Sequence, residues 1–213
     1  MDRRTDHLTG ATTVVVGSRQ SRPNLPPSDA CPFCPGGLEA PEDYDVRWFP
    51  NRWPSYPDDR CEVVLYHSDH DARLSGLPAA HFRKVVDLWA ERSAALGARD
   101  DIGYVLVFEN HGEAVGATIA HPHGQIYAYP DVPEGPAREM ARLADGHRLI
   151  EDDPDLTVVE RDGWRAWVPA AAIHPYGMRV APLEPRPDLP SLEPAERDSF
   201  GSVLAEALER LER

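Results

Sequence analysis

A chain of 213 residues, 41% hydrophobic and 27% charged, has the make-up of a globular protein able to bury one good core or two small ones packed together. Its formal net charge of −14 sets its field against polyanions and argues against nucleic acid or an anionic membrane as the main partner. No apolar run approaches the ~20 residues needed to cross a bilayer. The polar opening residues Met1 to His7 also lack the apolar stretch of a signal peptide, so the expectation is a cytoplasmic protein.

Taken in chain order, Thr12 to Val16 is a short β-branched strand candidate, followed by a Pro-, Ser- and Arg-rich loop, Gly17 to Asp29, that holds Arg19 and Arg22. Three cysteines without a secretion signal do not suggest a disulfide framework. Cys31-Pro32-Phe33-Cys34 instead has the spacing of two ligands on a metal knuckle, and Cys61 reads as a buried small hydrophobe. Val46 to Phe49 and Glu62 to Tyr66 read as strands between Pro-rich turns. From Pro78 to Leu96, Phe82, Val85, Val86, Trp89 and Leu96 recur at helical spacing, with Gly97 as the C-cap. Tyr104 to Phe108 is a strongly β-prone run, and a glycine-containing turn leads from it to an alternating segment, His121 to Tyr127, that would pair with it as an antiparallel hairpin. Arg138 to Asp153 is an acidic connector expected to be helical.

The pattern then begins again. Trp164 to Pro169 echoes the first Trp/Pro strand, Met178 to Ala181 echoes Val63 to Tyr66, and a helix is expected from Pro194 to Leu211. The pairs Leu74/Leu189 and Leu77/Leu192 share one offset, 189 − 74 = 192 − 77 = 115, which marks an internal duplication. The expected domains are residues 1–150, a catalytic half, and 151–213, a partial second half. At this offset the second counterpart of His123 would fall at residue 238, past the end of the chain.

His121-Pro122-His123-Gly124-Gln125 carries the chemistry. Residues at i and i+2 on a strand share a face, so His121, His123 and Gln125 project together. Gly124 is expected to permit close approach of a phosphate, and Gln125 offers an amide donor to a phosphoryl oxygen. Imidazole is neutral and nucleophilic near pH 7. Its attack on phosphorus gives a phosphoramidate reactive enough to pass the group onward, which divides a transfer into two steps. The other ring nitrogen needs an acceptor to fix the tautomer.

Phe108-Glu109-Asn110, Gly112, Gly116 and His121-Pro122-His123-Gly124-Gln125 together resemble the signature of galactose-1-phosphate uridylyltransferases, the transferase branch of the histidine-triad superfamily. Triad hydrolases have a third histidine where Gln125 stands. The resemblance implies a duplicated α+β fold, an antiparallel sheet with helices in each half, the second copy incomplete at its C-terminus. It implies transfer of UMP from UDP-glucose to galactose 1-phosphate by a ping-pong route, with His123 as nucleophile and Gln125 holding the transferred phosphoryl group. Asn110, Gly116 and Thr118 would line the phosphates, Asn51 would face the uridine, and Arg19 and Arg22 would serve a nucleotide site shared across a homodimer. A structural Zn²⁺ would rest on Cys31, Cys34, His70 and His121. A second metal site found in some members would draw on Glu139, but its partner histidines would lie past residue 213.

The chain departs from the pattern at Ala117-Thr118, where some members have Cys-Ser, and at Arg52, where some have an acidic residue on the ribose. These changes bear on acceptor and base preference. An ADP-sugar phosphorylase is the alternative within the enzyme class. A non-catalytic, zinc-stabilised nucleotide-binding remnant is the alternative outside it.

Overall fold

A polar, fully exposed segment makes the first strand. In a computed structural model of the chain, which describes residues 2–17, 31–115, 117–151 and 153–213, β1 (Asp2–Thr5) pairs antiparallel with β2 (Thr12–Val15). Asp6 closes the turn by accepting from the backbone amides of Leu8 and Thr9. Ladder hydrogen bonds and turn chemistry form this hairpin without a buried face, which is why apolar alternation pointed only to its second strand.

The chain divides into two compact units, Met1–Asp71 with Ala95–Asp131, and Ala72–Ala94 with Val132–Arg213. In the first, β3 (Arg47–Pro50), β4 (Cys61–Leu65), β5 (Tyr104–Phe108) and β6 (His123–Tyr129) form an antiparallel sheet in the order β3-β4-β6-β5. β6 is central. It pairs with β5, as the expected hairpin requires, and on its other side with β4, Leu65 opposite His123 and Val63 opposite Gln125. One face of this sheet carries Val63 and Leu65 into a cluster with Phe33 and Ala40, flanked by Cys31, Tyr44, Phe49 and Ile119.

Gly124 turns toward the opposite face from its neighbours His123 and Gln125. The space its missing side chain leaves is taken by Tyr66: a Cβ there would overlap the Tyr66 hydroxyl and lie 2.9 Å from both Tyr66 Cζ and the Phe108 carbonyl oxygen. The close approach at this glycine is that of Tyr66, on the sheet face opposite the one that His123 and Gln125 share. Gly124→Ala should destabilise the protein by about 1–3 kcal/mol in urea unfolding, the usual cost of overpacking. Tyr66→Phe should restore only part of that loss, because Cζ and the carbonyl remain. An unchanged midpoint for Gly124→Ala would contradict this packing.

In the second unit, β7 (Thr157–Arg161), β8 (Trp164–Trp167) and β9 (Arg179–Pro182) form a three-stranded antiparallel sheet. Val159, Trp164 and Ala166 pack with Leu192, Val203 and Ala207 of the following segment. The helix α3 (Pro194–Leu211) has the expected bounds, set by a capping box between Glu193 and Glu196 and by Pro194 in the first turn. Most of α1 (Ala79–Gly97) belongs to this unit too. Gly201 of α3 lets Phe82 of α1 approach, so that an added Cβ would stand 3.1 Å from its ring. Arg83–Asp198 (2.8 Å) and Arg197–Asp87 (3.0 Å) join the same two helices. The connector helix α2 (Glu134–Ala144) begins four residues before the expected start and ends well short of Asp153, because Gly146, at φ +86°, turns the chain out of the helix. No helix among the described residues is long and apolar enough to cross a membrane.

Candidate active site

The cysteine knuckle, the His70 turn and the start of β6 converge. Cys31, Cys34, His70 and His121 present four ligand atoms all within 4.8 Å of one another, and this is the one such group found among the described residues. Cys34 Sγ lies 3.5 Å from His70 Nδ1 and 3.6 Å from His121 Nδ1. Bonds of about 2.3 Å to sulfur and about 2.1 Å to nitrogen at tetrahedral angles would set such edges at about 3.5 Å.

The protonation chemistry fits a cation as well. Burial, then the neighbouring Cys31, push the Cys34 thiol up to about 11, so a thiolate there needs a compensating positive charge. His121 is fully buried, and that burial lowers its pKa, favouring neutral imidazole. Its Nε2 donates to the His67 carbonyl at 2.8 Å and meets the Tyr44 hydroxyl at 2.7 Å, which leaves Nδ1 with the lone pair. Tyr44, whose own pKa burial raises, donates to the Phe33 carbonyl at 2.6 Å. Such an outer layer of hydrogen bonds is what orients a ligating histidine. The four residues fit a closed tetrahedral metal site, which would brace the strand start.

His123 adjoins that site but belongs to a cleft. Its Nδ1 lies 2.7 Å from the His121 carbonyl oxygen. A carbonyl only accepts, so Nδ1 carries the proton and Nε2 the lone pair. The Phe33 ring stands 5.1 Å from the imidazole. The cleft, of about 220 Å³, has His123, Gln125, Asn51 and Thr118 in its wall with Phe49 and Trp53. Arg52 also lines it, paired with Glu39 at 2.8 Å.

Of the substrate residues expected from sequence, Asn51, Thr118 and Gln125 therefore share one cleft with His123. Asn110, just past the end of β5, is exposed and is not among the residues lining it. Arg19, Arg22 and Gly116 lie outside the described residues. Glu139, the candidate for a second metal, is exposed on α2 and faces Arg179 at 3.4 Å. Sequence reasoning missed Phe33, Tyr44 and Tyr127. Phe33 had a usable signal, since it is trapped between the two knuckle cysteines, and so had Tyr127, two residues past Gln125 on the same strand face; Tyr44 had none, because its partner His121 lies 77 residues away.

Residues 50–133 match the family described as galactose-1-phosphate uridyl transferase, N-terminal domain. The chain is 33% identical over 233 residues to the galactose-1-phosphate uridylyltransferase of Thermotoga maritima, an alignment covering 96% of this chain and 73% of that one. With the Streptomyces lividans enzyme of the same name it shares 37% over 228 residues, 99% of this chain and 64% of that one. A solved uridylyltransferase superposes with a TM-score of 0.81 at 29% identity, over 96% of this chain and 73% of its own. An ADP-glucose phosphorylase from Arabidopsis thaliana superposes at 0.76 with 20% identity, over 99% of this chain and 77% of its own, a likeness of fold.

A tautomer-fixed histidine beside a glutamine in a cleft, on a fold shared with uridylyltransferases, defines a nucleotidyltransferase. The chain belongs to the galactose-1-phosphate uridylyltransferase family. It spans 73% and 64% of the lengths of its Thermotoga and Streptomyces relatives.

Proposed function

We propose that this chain transfers UMP between UDP-glucose and a hexose 1-phosphate, galactose 1-phosphate in the first instance, through a covalent uridylyl group on His123. The observation that carries the reading is the 2.7 Å hydrogen bond from His123 Nδ1 to the His121 carbonyl, which leaves Nε2 as the nucleophilic nitrogen of a cleft residue. In the first half-reaction Nε2 attacks the α-phosphorus. The N–P bond forms, the bond to the β-phosphate oxygen breaks, and glucose 1-phosphate departs. In the second, a phosphate oxygen of galactose 1-phosphate attacks the same phosphorus and the N–P bond breaks, giving UDP-galactose and free His123. Gln125 and Thr118 supply donors to the phosphoryl oxygens from the same cleft wall. The family resemblance would add Gly116 to the phosphate side.

The metal in this reading is zinc, held by Cys31, Cys34, His70 and His121; its role is to hold the strand start, and elemental analysis of the purified protein decides between zinc and iron. The family resemblance supports a cytoplasmic homodimer in which Arg19 and Arg22 reach a partner's nucleotide. It also supports a duplicated α+β plan, residues 1–150 carrying the catalytic half and 151–213 the second. The two long helices begin at Ala79 and Pro194, 194 − 79 = 115 residues apart, the offset of the sequence repeat.

Incubation with UDP-glucose labelled in the uridine should leave acid-labile label on the protein, and galactose 1-phosphate should release it as UDP-galactose. Label from ADP-glucose instead would shift the reading to an ADP-sugar phosphorylase. Nucleotide binding with no label from either donor would leave a non-catalytic binding protein.

A further inference from the structure

Gln125 is held more firmly than a phosphate-binding side chain needs to be, and the hydrogen bonds around it have a direction. The Trp53 backbone amide lies 2.8 Å from one atom of the Asn51 carboxamide. A backbone N–H only donates, so that atom is the oxygen Oδ1 and the other is the amide nitrogen Nδ2. Nδ2 lies 3.1 Å from Gln125, and since it donates, the Gln125 atom it meets is the carbonyl oxygen Oε1. The Tyr127 hydroxyl reaches the same Oε1 at 3.1 Å, while accepting at 3.1 Å from Ser55 Oγ. Two donors thus converge on the carbonyl end of Gln125, and its Nε2 is the end left for the cleft that Gln125 shares with His123.

We propose that Asn51 and Tyr127 are positioning residues that lock Gln125 as an amide donor toward the phosphoryl group on His123. The proposal rests on the transferase reading above. A glutamine without such partners can exchange its oxygen and nitrogen by a half-turn about its last bond, and the flipped form sets an acceptor against an anionic phosphoryl oxygen. Holding the donor in place beforehand removes that reorganisation from the transfer step, the condition under which fixed dipoles favour a transition state. Asn51 does this from the end of β3 and Tyr127 from the same face of β6 as Gln125. Asn51, expected from the sequence to serve the uridine, commits its amide to Gln125.

The test is a double-mutant cycle read by single-turnover labelling of the protein from UDP-glucose. Tyr127→Phe removes one hydroxyl and keeps the ring, which packs edge-on to Phe108 at 4.9 Å. It should slow labelling about tenfold, the equivalent of ~1.4 kcal/mol for one net hydrogen bond, while the affinity for UDP-glucose moves less than about threefold. In a Gln125→Ala background the same substitution should cost nothing further, because the group it positions is gone. An equal slowing in both backgrounds, or none in the native one, overturns the proposal. If Tyr127→Phe does not fold, Asn51→Ser run through the same cycle decides by the same criteria. The unmutated protein is the control for the underlying reading. Absence of labelling there refutes the transferase reading itself, whereas labelling there with an additive cycle refutes only the positioning role.

Discussion

Replacing His123 with asparagine should abolish covalent labelling and reduce transfer by at least about four orders of magnitude, the scale of loss when a covalent nucleophile is removed. The substitution separates chemistry from structure. The asparagine amide can replace Nδ1 as the donor to the His121 carbonyl, the contact that holds the native ring at 2.7 Å, yet it has no basic nitrogen to attack phosphorus. His123 is half-buried and adds no member to the β4–β6 ladder beyond its backbone pairing with Leu65. The midpoint of unfolding should therefore shift by no more than about 1 kcal/mol, the ordinary range for a point substitution that opens no large cavity. A variant that folds normally and still traps label would place the nucleophile elsewhere.

Stripping the metal should be the largest effect on stability. A ligand that binds only the folded state and is present at roughly a thousand times its dissociation constant contributes about 4 kcal/mol. For a chain of this size that is about 8–16 °C in Tm, at about 2–4 °C per kcal/mol. Chelation and Cys34→Ser should both give this loss in scanning calorimetry, with the metal content falling in parallel. The rate should fall too, even in protein that remains folded, because His121 joins the two sites. Its imidazole belongs to the four-residue cluster that would hold the metal, while its backbone carbonyl fixes the proton on His123. Identical Tm and rate with and without metal would remove the bracing role.

The pH dependence of the stripped protein follows from the same residue. Burial lowers the pKa of His121 in the folded state. Below the ordinary value of about 6.5 the unfolded chain therefore takes up a proton that the folded chain does not. The stability tied to His121 is fully present above about pH 6.5 and is lost as the pH falls below it. Urea midpoints measured on metal-free protein between pH 8 and pH 5 check the sign, and a midpoint that rises on acidification would contradict it.

Much of this site was legible because its parts are local in the chain. The knuckle Cys31–Cys34 and the five residues from His121 to Gln125 fix their own relative placement through turn geometry and the two-residue period of a strand. The bounds of α3 were legible for the same reason, since Glu193, Pro194 and Glu196 form its cap within four residues. The hairpin of β5 and β6 needed only two apolar runs and a glycine turn between them. Elements made by pairing alone were not legible. β1 has no apolar pattern, and β7 carries a register irregularity between Thr157 and Val159 that breaks its alternation. The connector helix was shifted because its limits depend on Pro133 and Gly146 rather than on its charge.

Read with its family resemblance, the sequence singled out His123 as the candidate nucleophile, four residues as candidate metal ligands and Gln125 as the mark of the transferase branch. Only the tertiary structure decided which groups orient them. Periodicity assigns a side chain to a face, but not to a neighbour. The neighbour depends on the order β3-β4-β6-β5, which sets segments from both sides of β6 around it. That order brings Asn51 to Gln125 across 74 residues and Tyr44 to His121 across 77. It also fills the bare side of Gly124 with the Tyr66 ring. The motif carries the reacting atoms and, through the His121 carbonyl, the proton on His123 Nδ1, while Asn51, 74 residues away, joins Tyr127 in setting the direction in which Gln125 donates.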